Sequence, residues 1–172
     1  MRAHLILLSL LLGVTLFIMP KKSEAASTYL ILDTTKGQIE IELLPDIAPK
    51  HVKRIIELAS TGFYDNVIFH RVIPGFMAQT GDPTGTGMGG SGTNLNAEFS
   101  DYAYREGTVG MARAMNPNSA DSQFFICFDG CSHLTGDYTA WGQVSRGMDI
   151  VGKINEGQPP ENPDAIIATS LK

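Results

Sequence analysis

Cysteine is nearly absent: the 172 residues include two, Cys127 and Cys131. A domain of this length can bury a core without metals or disulfides. Cys127 ends an apolar run and reads as a core thiol. Bridging it to a loop cysteine four residues on needs a particular geometry. The residues therefore favour free thiols, with a disulfide permitted if the chain is exported. As metal ligands they would need partners, and no His or Cys cluster stands nearby at suitable spacing.

Positive charge is scarce too. Thirteen Lys and Arg against 18 Asp and Glu give a net charge of −5, with no basic block. Such a chain makes a poor nucleic-acid binder. Long hydrophobic runs are limited to one, Leu5 to Met19, of 15 residues. That is short of the ~20 a membrane-spanning helix needs. Arg2 precedes the run and Ser23-Glu24-Ala25 follows it, the small residues standing where a signal peptidase reads. The expected organisation is a signal peptide over residues 1–25, cut near Ala25 with Ala26 an acceptable neighbour, and one domain over residues 26–172. The alternative is an uncleaved anchor, because Lys21 and Lys22 follow the apolar run. Neither cysteine lies near this segment, so a lipid-modified cysteine start is excluded. The leader carries +2 of the whole-chain −5, leaving −7 after cleavage. The expected location is outside the cytoplasm, periplasmic or secreted, with no membrane insertion after cleavage.

Strong helix-forming runs are few and glycines number 18, which leans toward β structure with many turns. Ile39, Ile41 and Leu43 alternate with Gln38, Glu40 and Glu42, the period of a strand with one wet face. Thr28–Asp33 precedes it as a strand, and Thr35-Lys36-Gly37 supplies a hairpin turn. Pro49–Ser60 is the best helix: Pro opens it, Gly62 is placed to end it, and Val52, Ile55, Ile56 and Ala59 share one face. Short strand-like pieces follow at Val67–Val72, Phe76–Thr80, Thr108–Ala112, Phe124–Cys127 and Thr139–Val144. A second helix is expected over Met148–Asn155, then a Pro-rich stop, then a closing strand Ile166–Leu171. The sum is a mainly β fold: a closed eight-stranded antiparallel barrel capped by two α-helices, which would remove exposed edges. Neither repeats nor a second domain are evident.

Two motifs carry little. Gly85, Gly87 and Gly90 spell G-x-G-x-x-G, but no helix follows, so the stretch reads as a flexible loop beside a binding site rather than a dinucleotide cradle. Ser122 sits in no nucleophile elbow, and nothing pins His70 or His133 to a serine and an acid. His70, on an apolar run, reads as a satisfied structural histidine. The informative stretch runs from Phe69 to Asp82. Alternation there puts Phe69, Arg71 and Ile73 on one face, with Phe76, Met77 and Gln79 close behind. An arginine with a buried stem beside aromatics and amides is a ready site for an extended peptide.

Phe69–Asp82 resembles the central signature of the cyclophilins. So do Gly110–Ala114, Asn116–Asp121 with Ser122–Ile126, and Leu134–Gly142, in the same order from about Thr28 to Leu171. The family's barrel with two capping helices agrees with the reading from periodicity. The resemblance implies a peptidyl-prolyl cis/trans isomerase with no cofactor and no metal. Arg71 then matches the catalytic arginine, with Gln79 as a second catalytic residue. Phe76, Met77, Phe125 and Leu134 match the pocket for the substrate proline ring. Gln123 joins Gln79 in flanking the substrate backbone, and Ala112, Arg113 and Ala114 match the edge that pairs with it. His133 and Tyr138 complete the expected substrate-binding set. His133 stands where well-known eukaryotic members have Trp, and Tyr138 where many have His, which argues against strong cyclosporin binding. Arg113 replaces an Asn, and its side chain is expected to reach solvent. Expected partners are unfolded or proline-containing polypeptides, bound by a monomer. Two other readings are a proline-peptide binding module or chaperone without significant catalysis, and a lipocalin-like carrier. The density of large apolar strand residues argues for a filled barrel over the carrier.

Overall fold

The computed structural model describes residues 29–172. The expected signal segment and its cleavage near Ala25 lie outside the described residues. Strands β1 (Tyr29–Thr34) and β2 (Gly37–Leu43) form the expected hairpin. Helix α1 (Pro49–Ser60) follows, then β3 (Arg71–Ile73), β4 (Met77–Thr80), β5 (Thr108–Met111), β6 (Phe124–Cys127) and β7 (Ala140–Arg146). A single-turn helix α2 (Met148–Val151) and β8 (Ile166–Leu171) close the described chain. The strands make one antiparallel sheet in the order β3-β4-β6-β5-β7-β2-β1-β8.

The sheet curls but does not close, which corrects the expected closed barrel. No ladder joins β3 to β8, and the chain beside them makes only isolated bridges, Ile68 to Ala165 and Val72 to Gly157, among the described residues. The cause lies in residues 64–70. Asn66 turns the chain at a φ of 63°, and Phe69 and His70 are both buried in succession. Regular pleating is lost, so the expected strand Val67–Val72 begins only at Arg71. Phe69 consequently joins the interior core, not the face that Arg71 and Ile73 share.

Leu30, Leu32, Ile39, Ile41, Tyr64, Phe124, Ile126 and Trp141 are all fully buried in the interior. Phe124 meets Tyr64 and Trp141 edge to face, each with centroids 5.4 Å apart. The interior is a packed core, so a lipocalin-like carrier is ruled out. Helix α1 buries Val52, Ile55 and Ala59 as expected, and Ile56 in part. Helix α2 is shorter than expected. Gly152 ends it, and the chain continues through turns from Lys153 to Ile150 and from Ile154 to Val151. Glycine loses more backbone entropy in a helix than any other residue, so the turn is not propagated. Among the described residues no helix is long and apolar enough to cross a membrane.

Candidate active site

Sheet register assembles the site. Arg71 of β3 pairs with Gln79 of β4, Gln79 with Phe125 of β6, and Phe125 with Gly110 of β5. Directly paired residues share a face, so these four form one row across four strands. The alternate residues Val72, Ala78, Ile126 and Val109 fill the interior core. On β6 the split is clean. Phe124 and Ile126 point inward, while Phe125 and Cys127 join a second, outer cluster with Met77, Tyr104, Cys131, Leu134 and Ala140.

Gly110 makes room for that row. A Cβ there would collide with Phe125 Cζ and the Tyr104 hydroxyl. Phe125 stacks on Tyr104 at 6.0 Å and meets Tyr138 edge to face at 5.8 Å. Cys127 and Cys131 are joined by a disulfide, against the expectation of free thiols. The Cα–Cα distance of 6.0 Å suits the bond, because the chain folds back in a 3-10 turn, Asp129–Leu134, directly after β6. Phe128 N–H donates to Phe76 O and Gly130 N–H to Gly75 O. Together these bonds tie Phe76 to the turn that carries Leu134.

The outcome is a cavity of about 180 Å³ with both apolar and polar walls. Phe76, Met77, Phe125, Leu134 and Tyr138 wall it, with Arg71 and Gln79 at one side and Ala112 and Arg113 at the other. A larger cavity of about 400 Å³ adjoins it, sharing Gln79, Ala112 and Arg113 and adding Ala114, Gln123 and the 87–90 loop. Eleven of the twelve expected site residues line one cavity or the other. His133 does not: it is exposed and stacks on the outside of Phe76, centroids 5.5 Å apart.

The polar groups form one directional chain. Arg71 Nη1 donates to Gln79 Oε1 at 3.2 Å, and Gln79 Nε2 donates to Gln123 Oε1 at 2.9 Å. Gln123 Nε2 then donates to Gly87 O at 3.0 Å and Gly89 O at 2.8 Å. A guanidinium can only donate, so each amide downstream must turn its oxygen toward Arg71. Arg71 Nε also donates to Gln158 Oε1, at 3.2 Å. Ala112 N–H is taken by Gln123 O and Ala114 N–H by Ser119 Oγ. Of that segment's N–H groups, only Arg113's has no partner among the described residues.

Arg113 departs from expectation. It is half-buried, lying 4.5 Å over the Tyr138 ring. Its guanidinium donates to Asp137 O at 3.0 and 3.3 Å and to Ala114 O at 3.0 Å. Backbone carbonyls and an aromatic face offer it more than open water does. His70 also departs: it is buried, and neither ring nitrogen has a partner among the described residues. Burial pushes its pKa down and favours the neutral ring, outweighing the nearby Asp82 carboxylate, which favours the charged one.

The glycine-rich loop is tethered. The buried Asp82 carboxylate accepts N–H groups of Thr84 at 2.7 Å, Gly87 at 2.6 Å and Gly89 at 3.1 Å, and the Thr84 hydroxyl. Burial opposes its ionisation, yet those hydrogen bonds hold its pKa down to about 2. Asp121 takes the N–H groups of Ser91 at 2.9 Å and Gly92 at 2.8 Å. Sequence reasoning missed both carboxylates and Gln158. An Asp followed by Thr and Gly is a turn signal that marks Asp82. Nothing local marks Gln158. Among the described residues no group of three or more His, Cys, Asp or Glu could hold a metal.

Comparison with known proteins bears on what this cleft does. The family model "Cyclophilin type peptidyl-prolyl cis-trans isomerase/CLD" matches residues 29–170. A Brucella suis protein named "Probable peptidyl-prolyl cis-trans isomerase" is 49% identical over 159 residues, covering 83% of this chain and 81% of that one. A Synechococcus elongatus protein named "Peptidyl-prolyl cis-trans isomerase" is 42% identical, covering 76% of this chain and 90% of its own. A Cryptosporidium parvum cyclophilin-type isomerase, crystallised in the presence of the dipeptide Ala-Pro, superposes with a TM-score of 0.78. It is 32% identical and the match covers 84% of this chain and 98% of that one.

Proposed function

The chain belongs to the cyclophilin family of peptidyl-prolyl cis-trans isomerases, and from that premise we propose that Arg71 drives rotation about X–Pro bonds in this cleft. Its relatives by sequence are named as such isomerases, and this is the activity of the chain. The observation that carries the residue assignment is the Arg71 guanidinium, held by two amide oxygens beside a cavity walled by Phe76, Met77, Phe125 and Leu134.

The peptide C–N bond resists rotation because nitrogen shares its lone pair with the carbonyl, a barrier of ~18–20 kcal/mol. As the bond twists, that lone pair localises on the prolyl nitrogen. A donor aimed at the nitrogen therefore binds the twisted state better than either planar one, which is what accelerates the step. Arg71 has N–H groups to spare after serving Gln79 and Gln158, and a guanidinium stays charged. Phe76, Met77, Phe125 and Leu134 hold the proline ring and exclude competing water. Gln79 and the Arg113 peptide N–H steady the substrate backbone while the other side turns. No nucleophile or general base enters, because no covalent bond is made or broken. The substrates are unfolded or proline-containing polypeptides, in line with the Ala-Pro dipeptide supplied to the Cryptosporidium relative.

In a coupled assay on an X–Pro peptide, Arg71→Ala should lose roughly a hundredfold in kcat/KM, the scale of removing one aimed donor. Its thermal unfolding should match the wild type's. Undiminished kcat/KM would remove Arg71 from the mechanism. We place the protein outside the cytoplasm, as a monomer released by cleavage near Ala25. The support is the apolar run at Leu5–Met19 and the small residues after it. Mass spectrometry of the expressed protein should show a chain starting at or next to Ala26. An intact Met1 in the membrane fraction would instead support the anchor.

A further inference from the structure

We infer that Gln158 is a positioning residue for Arg71, fixing the plane in which its guanidinium faces the substrate, an inference that rests on the isomerase reading above. Gln158 belongs to none of the motifs. It lies in the Pro-rich stretch between α2 and β8, 87 residues from Arg71 in sequence. The backbone brings it there. Val72 N–H donates to Gly157 O at 2.8 Å, and Gly157 N–H returns to Val72 O at 3.0 Å. That reciprocal bridge sets residue 158 beside residue 71. Gly157 sits at a φ of 146°, where side chains are rarely found, and a Cβ there would press on Pro159 and Pro160. The bridge therefore depends on glycine at that position.

A guanidinium on a flexible stem can rotate about its last bonds. One acceptor leaves it a hinge; two acceptors on different nitrogens define its plane. Gln79 Oε1 takes Nη1 and Gln158 Oε1 takes Nε, each at 3.2 Å. Nη2 has no partner among the described residues and is left to the ligand side. Both acceptors are neutral amides, so the guanidinium keeps its full positive charge. Gln158 is exposed and outside both apolar clusters. Its removal therefore acts on Arg71 and leaves the core intact.

The test uses the full-length ¹⁵N-labelled protein with Gln158→Leu and Gln158→Glu. Two quantities are read: the Arg71 Nε–H resonance, identified by its loss in Arg71→Lys, and kcat and KM on an X–Pro peptide. Gln158→Leu should shift the Nε–H signal toward that of a free, rapidly exchanging arginine. It should lower kcat about tenfold, the size of one charge-assisted hydrogen bond, while KM moves little. Gln158→Glu restores an acceptor and should recover the ordered signal. Wild-type signal and turnover in Gln158→Leu would overturn the inference. So would lost turnover with an unchanged Nε–H signal. If the wild type itself does not isomerise, the isomerase reading falls, and the Nε–H signal alone still decides whether Gln158 holds Arg71.

Discussion

Arg71 matters through its surroundings as much as through its charge. Its Nη1 is 3.8 Å from the Met77 sulfur, and it lines a cavity of about 180 Å³ with Phe76, Phe125 and Leu134. Gly110 does as much for the site from the opposite end of the row, by making space for Phe125. Gly110→Ala should displace Phe125, because the new methyl meets Phe125 Cζ and Tyr104 Oη. The expected outcome is at least about a tenfold fall in kcat/KM, since small misplacements of a binding wall are costly. Overpacking should add a stability loss of about 1–3 kcal/mol. Isomerase assays paired with urea unfolding check both, and full activity in Gly110→Ala would show that Phe125 is not set by this contact. That Arg71, Phe76, Met77 and Gln79 belong together was legible in the sequence, because an arginine, an amide and large apolar residues fall in one strand-like run; Phe125 entered only through the family resemblance. Gln158, Asp82 and the folded-back Arg113 were not legible. Their partners are set by loop geometry, which carries no periodicity.

Helix α1 shows how an element can be read correctly from a sequence that hides part of its support. Its N-cap residue is Ala48, which offers no side-chain acceptor. Glu98, from the loop before β5, takes over: its carboxylate accepts Lys50 N–H at 3.1 Å and His51 N–H at 3.0 Å. It also bonds buried His51 Nδ1 at 2.7 Å. Burial pushes the His51 pKa down despite Glu98, and the hydrogen bonds from His51 hold the Glu98 carboxyl low against its own burial. The neutral imidazole is thus the donor. Glu98→Ala would strip the first turn of its anion and orphan His51. The expected cost is about 2 kcal/mol, measured by urea unfolding at neutral pH, with the active-site row unaffected. A variant as stable as wild type would mean that water serves the helix end equally well. Proline, glycine and the apolar stripe made α1 readable. The same stripe overextended α2, where Gly152 stops the turn, and a run of apolar residues overextended β3.

At the scale of the whole molecule, one curled sheet serves two purposes. Its inner face packs the edge-to-face rings of Tyr64, Phe124 and Trp141 among aliphatic side chains, and its outer face at β3, β4, β6 and β5 carries the cleft. The alternation of β6 joins them, so the site stands directly on the packed interior. The sequence told the fold class and strand count well, because alternation and turn residues are local. It did not tell that the sheet stays open between β3 and β8, which depends on how Asn66 and the two buried residues Phe69 and His70 bend one segment. The central claim is catalysis by Arg71 on an X–Pro bond. Two-dimensional exchange NMR on an unstructured proline peptide tests it most directly, with wild type and Arg71→Ala side by side. Cis/trans exchange accelerated by the wild type and nearly lost in the mutant is the predicted result. Peptide that binds to the folded wild type with no acceleration of exchange would contradict it, and would make the cleft a recognition site on an isomerase fold.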